Sequence, residues 1–293
     1  MAATITVSYS ELDTFRQCPL KHALAYKQRW RKDQEEGSAL SRGTLWHNVM
    51  EQHYLGIQEQ ALRDTKSTEA VLLAHARTRV LPWLHTQGQQ TEQQILVEWM
   101  YEGYVEQYGS DPQWEILATE LPVETWLLNE RGNRTRFRLK AKIDLIVRDR
   151  TFGGVWAVDH KSAKDLDRQK SVDLDDQFGL YSWLLRQIGK PVRGSTYSGA
   201  RTQRNKGPMT LESRFSRIRM ARTDIELNNL ALDAYRAARM AYSPMNDQPY
   251  SSPNPQTCGW KCDFEQVHLA ARKGVPITPL LKDFGFSQDF RRH

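Results

Sequence analysis

Hydrophobic residues in the first third of the chain recur at helical spacing. The pattern predicts five helices, over residues 10–15, 19–26, 38–63, 67–85 and 90–108. We expect Ser10 to cap the first helix, Pro19 to occupy the first turn of the second, and Pro82 to kink the fourth. This region is therefore predicted to be mainly helical.

From residue 114 the pattern changes to a period of two, which predicts strands. Residues 114–127 form one predicted strand, interrupted at Pro122. In the next strand, apolar residues at alternate positions from Phe137 to Val147 share one face. A turn then leads to an apolar strand over residues 155–161, so we expect a hairpin. The polar face of the second strand carries Arg136, Arg138, Lys140, Lys142 and Asp144.

The rest of the chain alternates between helices and strands. Helices are predicted over residues 173–188 and 224–242, and strands over residues 192–201 and 212–220. The tail is rich in proline, serine and asparagine, which predicts loops. We expect an α/β fold in which helices flank a mixed central sheet, with an N-terminal helical elaboration.

The composition is that of a folded protein with a modest basic excess. The 293 residues are 39% hydrophobic and carry a formal net charge of +6. That charge fits a polyanionic partner such as nucleic acid without requiring one. No apolar run is long enough to span a membrane, and the first residues lack the basic-then-apolar pattern of a secretion signal. We therefore expect a cytoplasmic protein.

Two acids and a lysine in the predicted hairpin are candidates for catalysis. Asp159 follows an apolar run, and Lys161 points to the same face two positions later. The hairpin brings Asp144 beside Asp159, and paired carboxylates suit Mg²⁺ or Mn²⁺. With a lysine nearby, such a site can hydrolyse phosphodiesters. The alternative is ordinary ion pairing with Lys142 and Lys161, which is the commoner meaning of a single D-x-K pattern.

Further motifs lie around this pair in a fixed order. The segment SYSELDTFRQCPLKHALAY begins at Ser8, and the last motif is Gln177-x-x-x-Tyr181. Together the motifs resemble the RecB-like branch of the PD-(D/E)xK nuclease superfamily, which includes CRISPR-associated RecB-like exonucleases. The resemblance covers the chain from Ser8 to about His268. Between its two ends lie Gly43-x-x-x-His47 with Glu51, and Asp144 followed by Asp159-His160-Lys161.

The resemblance implies a restriction-endonuclease-like core and a metal-dependent DNA exonuclease. The nuclease core is expected over residues 111–245, after an N-terminal helical region over residues 1–110 that carries Cys18 and His47. A loop-rich cysteine segment over residues 246–293 is expected to pack back on the N-terminal region.

By resemblance, Asp144 and Asp159 bind the divalent metal, and Lys161 positions the attacking water. The backbone carbonyl of His160 is a further expected ligand. His47 supplies an imidazole, which favours Mn²⁺ as well as Mg²⁺. Taken alone, His47 is better explained as a half-buried helix histidine.

Gln177 and Tyr181 lie one turn apart on a predicted helix and therefore share a face. By resemblance this helix lines the active site, where it contacts the DNA backbone or orients the catalytic lysine. The alternative is a polar helix edge with a core tyrosine. Glu120, on the preceding strand, resembles a recurrent acid of the family, and it either joins the site or caps the strand end.

The three cysteines, Cys18, Cys258 and Cys262, are an odd number, which argues against a disulfide framework. Some members of the branch hold a [4Fe-4S] cluster with one early cysteine and a late C-x2-C-x5-C motif. Here three residues separate Cys258 from Cys262, and His268 stands in the last position. Three possibilities remain open: a cluster held by three cysteines and His268, a Cys3His zinc site, or loss of the metal centre.

The leading hypothesis is an exonuclease that acts on DNA ends, including single strands, in recombination, repair or spacer processing in a bacterial or phage-infected cell. The chain has no G-x-x-x-x-G-K-[ST] loop, so any helicase is a separate partner, and a homo-oligomer is a further possibility. Alternatives are a non-catalytic DNA-binding protein with a structural Fe-S or zinc site, and a nuclease acting on RNA. Arg201, Arg204 and Lys206 either hold phosphates or form a solvated basic loop.

Overall fold

The computed structural model divides the chain into two compact units, both discontinuous in sequence. Unit 1 comprises Met1–Glu35, Trp126–Leu139 and Leu232–His293, and unit 2 comprises Glu36–Thr125 and Lys140–Ala231. These boundaries do not follow the three consecutive regions expected from the sequence, and that functional division stays a prediction. The residues described are 3–32, 39–85, 90–204, 209–246, 253, 254, 256, 258, 259 and 262–289.

The helices occur largely where the sequence pattern predicts them. A π-helical turn, Ala23–Lys27, follows α2, and 3-10 turns cover Asp167–Leu174 and Pro244–Asn246. The helices are α1 Tyr9–Gln17, α2 Pro19–His22, α3 Ala39–Arg63, α4 Glu69–Leu84, α5 Glu92–Tyr108, α6 Asp176–Gln187, α7 Leu211–Arg214, α8 Asp224–Ala241, α9 Glu265–Ala271 and α10 Ile277–Asp283.

The strands of the described residues form two sheets. The larger sheet has the order β1-β4-β5-β6-β7, and β3 pairs with β4. Its β4–β5 and β6–β7 pairs are antiparallel, whereas β5–β6 is parallel. The strands are β1 Ile5–Ser8, β2 Trp30–Lys32, β3 Trp114–Leu128, β4 Arg134–Asp149, β5 Val155–Ala163, β6 Val192–Arg201, β7 Phe215–Met220 and β8 Phe286–Gln288.

The predicted starts of α1 and β7 are wrong. Ser8, not Ser10, caps α1, because Ser8 is extended and its Oγ accepts the Glu11 backbone N–H at 3.2 Å. The strand predicted from residue 212 begins at Phe215, because the short helix α7 comes first. The sequence offers serines at both positions of the first site, and only the backbone conformation selects between them.

In unit 2, helices cover both faces of the sheet. Trp46 and Met50 of α3 pack in one core with Leu145 of β4 and Val158 of β5. On the opposite face, Phe178 of α6 packs with Tyr197 of β6 and with Val172 and Met220. The predicted α/β class, a mixed sheet flanked by helices, is therefore confirmed.

Unit 1 has its own small core. Strands β2 and β8 pair antiparallel, with Trp30 opposite Gln288. Leu24, Trp30, Phe264 and Phe286 are buried together, and the two phenylalanine rings stack at 4.8 Å. After the proline-rich segment predicted to be loops, residues 243–262, the described part of the tail contributes α9, α10 and β8. None of the helices in the described ranges is long and apolar enough to cross a membrane.

Candidate active site

Strands β4 and β5 bring the two predicted acids together. Leu145 pairs with Val158 at the end of the antiparallel ladder, and Asp144 and Asp159 are the residues next to this pair on the two strands. The Asp144 carboxylate also accepts the backbone N–H of His160, with an N···Oδ2 distance of 2.8 Å. The predicted hairpin therefore has the register that a paired-carboxylate site needs.

Asp159 is almost fully buried and lies beside Lys161. The Lys161 Nζ is 2.8 Å from Asp159 Oδ2. Burial raises the pKa of Asp159 to about 6, and the charge of Asp144 adds to that effect although the Lys161 charge opposes it. Burial disfavours the charged form of Lys161, but Asp159 outweighs it and raises the lysine pKa. The lysine is therefore a cation at neutral pH.

His47 projects from α3 onto Asp144. Its Nδ1 is 3.1 Å from Asp144 Oδ2. Burial opposes protonation of His47, yet the hydrogen bond to Asp144 and the charges of Asp144 and Asp159 raise the pKa of the imidazole. Burial likewise opposes ionisation of Asp144, but His47 and the His160 N–H lower its pKa. His47 thus faces the acids, as the sequence hypothesis requires.

Glu120, whose role the sequence left open, reaches the same place. Ligand atoms of His47, Glu120 and Asp144 lie within 4.8 Å of one another, the only such group of three among the described residues. Glu120 has a backbone φ of +52° within β3, a conformation that is uncommon for non-glycine residues and clusters at functional sites. Its carboxylate forms an ion pair with Lys142, and burial raises its pKa.

Helix α6 supplies a polar support for Lys161. The Lys161 Nζ donates to Gln177 Oε1 at 3.2 Å, and Gln177 Nε2 donates to the Tyr181 hydroxyl at 2.5 Å. Asp175 caps the helix by accepting the Gln177 backbone N–H at 2.9 Å. Burial and the nearby acids raise the pKa of Tyr181 well above its usual value, so its hydroxyl stays neutral.

The His160 side chain points away from the acids. Successive strand residues face opposite sides, and the imidazole stacks on Tyr54 with ring centroids 5.5 Å apart. Burial lowers its pKa to about 3, so the ring is neutral. Neither ring nitrogen has a hydrogen-bond partner within the part of the chain that the structure describes. Only the backbone carbonyl of His160 therefore remains as the predicted ligand.

The arrangement has a counterpart among known protein families. Residues 6–267 match the family model of the PD-(D/E)XK nuclease superfamily. The chain belongs to this superfamily. The resemblance deduced from the sequence motifs and the restriction-endonuclease-like fold are thus confirmed at superfamily level.

Two solved structures are similar to this nuclease-family chain. One, from Eubacterium rectale, is described as "Putative exonuclease"; it is 16% identical, with a TM-score of 0.45 over 85% of this chain and 89% of that one. The other is named SSO0001 and is 13% identical, with a TM-score of 0.35 over 88% of this chain and 93% of that one. No curated protein matches the sequence significantly.

A second buried charge cluster in unit 2 of the nuclease was not predicted. Arg217 contacts both carboxylate oxygens of Asp111, at 2.5 and 2.9 Å, and the Tyr54 hydroxyl donates to Asp111 Oδ2 at 2.6 Å. The guanidinium lies 3.6 Å from the Tyr108 ring centroid and 4.0 Å from that of Trp114. The sequence carries no signal for this cluster, because Asp111 and Arg217 are 106 positions apart.

The predicted cluster ligands of unit 1 line one cavity of about 180 Å³. Cys18 caps α2, and its Sγ accepts the Lys21 N–H at 3.4 Å. The Cys258 Sγ accepts the Asn254 N–H at 3.3 Å. Cys262 and His268 complete the set, and none of the three cysteines forms a disulfide within the described residues.

Of the basic residues proposed to hold phosphates, Arg204 makes contacts within the protein. The Arg204 guanidinium donates to the Ile95 carbonyl at 3.2 Å and lies 5.0 Å from the Trp99 ring centroid. Arg201 is half-buried. Lys206 lies outside the described residues.

Proposed function

We propose that this protein is a divalent-metal-dependent DNA exonuclease. The observation that carries the proposal is the convergence of His47, Glu120 and Asp144 within 4.8 Å of one another, on the hairpin that also presents Asp159 and Lys161. The superfamily match over residues 6–267 supports the reaction class.

The residues of the site fit a divalent metal ion. Burial and a neighbouring carboxylate leave Asp159 with a pKa of about 6, and a cation between two acids relieves such repulsion. Two carboxylates and one imidazole suit Mg²⁺ or Mn²⁺. His47, Glu120 and Asp144 would hold the metal, with Asp159 and the His160 carbonyl as further ligands. When bound, the metal supplies Lewis acidity and lowers the pKa of coordinated water.

Lys161 acts as a positioning cation in this proposal. Its raised pKa keeps the ammonium protonated, so it does not serve as the general base. Asp159 and Gln177 fix the Nζ atom from two sides. It can therefore donate to the attacking water or to a phosphate oxygen. Tyr181 in turn orients Gln177.

We further propose that the substrate is DNA with free ends, including single strands, as in the RecB-like branch that the sequence motifs resemble. The formal net charge of +6 supports a polyanionic substrate. Recombination, repair and spacer processing are the matching processes, with a separate helicase or a second copy of the chain as possible partners.

We further propose that the cavity of unit 1 holds a [4Fe-4S] cluster, with a Cys3His zinc site as the alternative. Cys18, Cys258, Cys262 and His268 line this cavity together. Thiolates are ligands of iron–sulfur clusters and of structural zinc alike, so metal analysis decides between the two.

The cluster is tested by anaerobic purification, iron and zinc analysis, and visible absorption. We expect iron and a broad visible band in the wild type, both lost in Cys262→Ser. Zinc in place of iron, or a colourless protein free of both metals, would contradict the cluster.

The nuclease proposal is tested on end-labelled single- and double-stranded DNA and on labelled RNA, with Mg²⁺, Mn²⁺ or EDTA. We expect stepwise shortening of DNA that needs metal and is lost in Asp159→Ala and Glu120→Gln. Replacing a metal ligand should cost more than about 100-fold, because even partners of ligands cost 10–100-fold. Glu115→Gln, a half-buried acid on the same strand as Glu120 whose carboxylate pairs with Arg148, is the matched control.

Degradation that survives Asp159→Ala would overturn the active-site assignment. Binding of DNA without cleavage by the wild type would favour the non-catalytic alternative, and cleavage confined to RNA would favour a ribonuclease. Internal cuts in circular DNA would identify an endonuclease.

A further inference from the structure

An exposed lysine contacts the group of residues that converge to hold the metal. Lys142 lies two positions before Asp144 on β4, so the two side chains share a face of the strand. Its Nζ forms an ion pair with Glu120, whose side chain is 15% exposed, whereas the lysine side chain is 62% exposed. A mostly exposed ammonium therefore occupies a carboxylate that lies within 4.8 Å of the other candidate ligand atoms.

Acidic groups hold Lys142 in this position. The hydrogen bond to Glu120 raises the pKa of Lys142, burial opposes the change, and the charges of Glu51 and Asp144 add to it. Burial and the charges of the same two acids raise the pKa of Glu120, and the hydrogen bond from Lys142 opposes them. Lys142 thus offsets the charge of Glu120 as long as no metal does so.

The two lysines beside the acids differ in how firmly they are held. The Lys161 Nζ contacts both Asp159 and Gln177, and the lysine side chain is only 33% exposed. Lys142 instead reaches Glu120 at the end of a mostly exposed side chain. Its flexible four-carbon stem can therefore turn to another anion, whereas Lys161 cannot turn without breaking two contacts.

A divalent metal would compete with Lys142 for Glu120. The metal and the ammonium carry like charges, so they repel each other at the short distances that one shared carboxylate imposes. A carboxylate that ligates the metal also directs oxygen lone pairs away from the ammonium. The phosphates of bound DNA are then the available anions, and a lysine binds phosphate as a point charge.

We propose that Lys142 exchanges partners on metal binding: it neutralises Glu120 when no metal is bound, and it binds a backbone phosphate of DNA when a metal is bound. The inference rests on the proposed function in taking a divalent metal and DNA as the ligands. It assigns Lys142 to substrate binding, and it couples metal binding to DNA binding through a single side chain.

Calorimetric titration with Mn²⁺ in the absence of DNA tests the competition. We expect Lys142→Gln to bind Mn²⁺ about threefold to fivefold more tightly than the wild type, because the metal no longer displaces an ammonium from an ion pair. Lys140→Gln removes a lysine two positions further along the same face and should have a smaller effect. Equal or weaker Mn²⁺ binding in Lys142→Gln, or the same gain in Lys140→Gln, would overturn the competition.

Fluorescence anisotropy of a phosphorothioate oligothymidine, whose sulfur-substituted linkages resist hydrolysis, tests the phosphate contact. In Mn²⁺ we expect Lys142→Gln to bind this probe about tenfold more weakly than the wild type. The slope of log K against log salt should also fall by about 0.7, the value of one phosphate contact. In EDTA the loss of affinity should stay below about threefold, because Glu120 then holds the lysine.

The control Lys140→Gln should change the affinity for the probe by the same factor in Mn²⁺ and in EDTA. A loss in Lys142→Gln that is equally large in Mn²⁺ and in EDTA, or no loss in Mn²⁺, would overturn the exchange of partners.

These binding measurements require no cleavage, so the failure of this inference and the failure of the nuclease proposal are distinguishable. A wild type that cleaves DNA while Lys142→Gln binds Mn²⁺ and the probe as the wild type does would reject the exchange and leave the nuclease intact. A wild type that cleaves nothing, with the metal-dependent loss in Lys142→Gln, would support the exchange and reject the nuclease. A wild type that binds no Mn²⁺ would overturn both.

Discussion

Unit 2 contains two buried clusters of charged side chains that differ in how completely their charges are paired. In the Asp111 cluster, formed by Asp111, Arg217, Tyr54 and Tyr104, one carboxylate faces one guanidinium. Asp111 Oδ1 also accepts from Gln113 at 2.9 Å, and the Tyr54 and Tyr104 hydroxyls lie 2.6 Å apart. Every contact in this cluster joins a donor to an acceptor.

The acid cluster of Asp144, Asp159 and Lys161 is not balanced in this way. Lys161 is the counterion of Asp159, Asp144 contacts the His47 imidazole at 3.1 Å, and Asp159 has a pKa of about 6. Buried charges that are paired with opposite charges usually have a structural role. An excess of buried carboxylates over basic groups is typical of a site that binds a cation. The following substitutions test that distinction, from the largest expected effect to the smallest.

Breaking the paired cluster should cost the most stability. Arg217→Met leaves the Asp111 carboxylate buried without its countercharge, so we expect a loss of about 3–5 kcal/mol in the free energy of unfolding. Urea denaturation measures it. The double variant Arg217→Met/Asp111→Asn should recover part of the loss, and a loss below about 1 kcal/mol in the single variant would mean that the pair is dispensable.

Removing a charge from the acid cluster should raise the free energy of unfolding instead of lowering it. A pKa of about 6 in place of 3.8 means that folded Asp159 binds a proton more tightly than the unfolded chain does. Stability is therefore fully present below about pH 4, falls as the pH rises through 6, and stays lower by about 3 kcal/mol. Asp159→Asn removes this penalty.

In EDTA at pH 8 the Asp159→Asn variant should thus melt at a higher temperature than the wild type, and at pH 4 the difference should largely disappear. Mg²⁺ or Mn²⁺ should stabilise the wild type and not the variant. A variant that is less stable than the metal-free wild type at pH 8 would show that Asp159 is a structural acid.

Removing a single hydroxyl from the Asp111 cluster should lower the stability by a smaller amount. Tyr54→Phe removes a hydrogen bond to a charged group while keeping the ring on His160, so we expect a loss of about 1.5–3 kcal/mol in urea denaturation. Tyr108→Phe keeps its ring against Arg217 and is the control. Equal losses in the two variants would assign the effect to ring packing.

The smallest effect on activity is expected from Gln177, which accepts a hydrogen bond from Lys161. Gln177→Ala frees the Lys161 ammonium on one side, so we expect kcat to fall about tenfold with stability and KM nearly unchanged. Gln187→Ala, an exposed position on the same helix, is the control. A rise in KM with an unchanged kcat would make Gln177 a DNA contact instead.

Residues that are close in sequence, or that follow a regular period, were the predictable part of the site. Asp159 and Lys161 share a face because strand residues alternate, and Gln177 meets Tyr181 because helix residues four apart do. Pairing of two adjacent strands brought Asp144 to Asp159. Each of these inferences requires only the local geometry of one element or of one hairpin.

The sequence by itself determined the α/β class, the acid–lysine hairpin and the helix that supports it, since periodicity fixes which neighbours face the same way. Only the tertiary structure decided that Glu120 joins His47 and Asp144, because its positive φ within β3 has no counterpart in the residue pattern. The same holds for Asp111 and Arg217. Their pairing depends on how β7 packs beside residues 109–113, between α5 and β3. Tertiary packing, not the residue pattern, gives Asp111 its counterion and leaves Asp159 beside a second carboxylate.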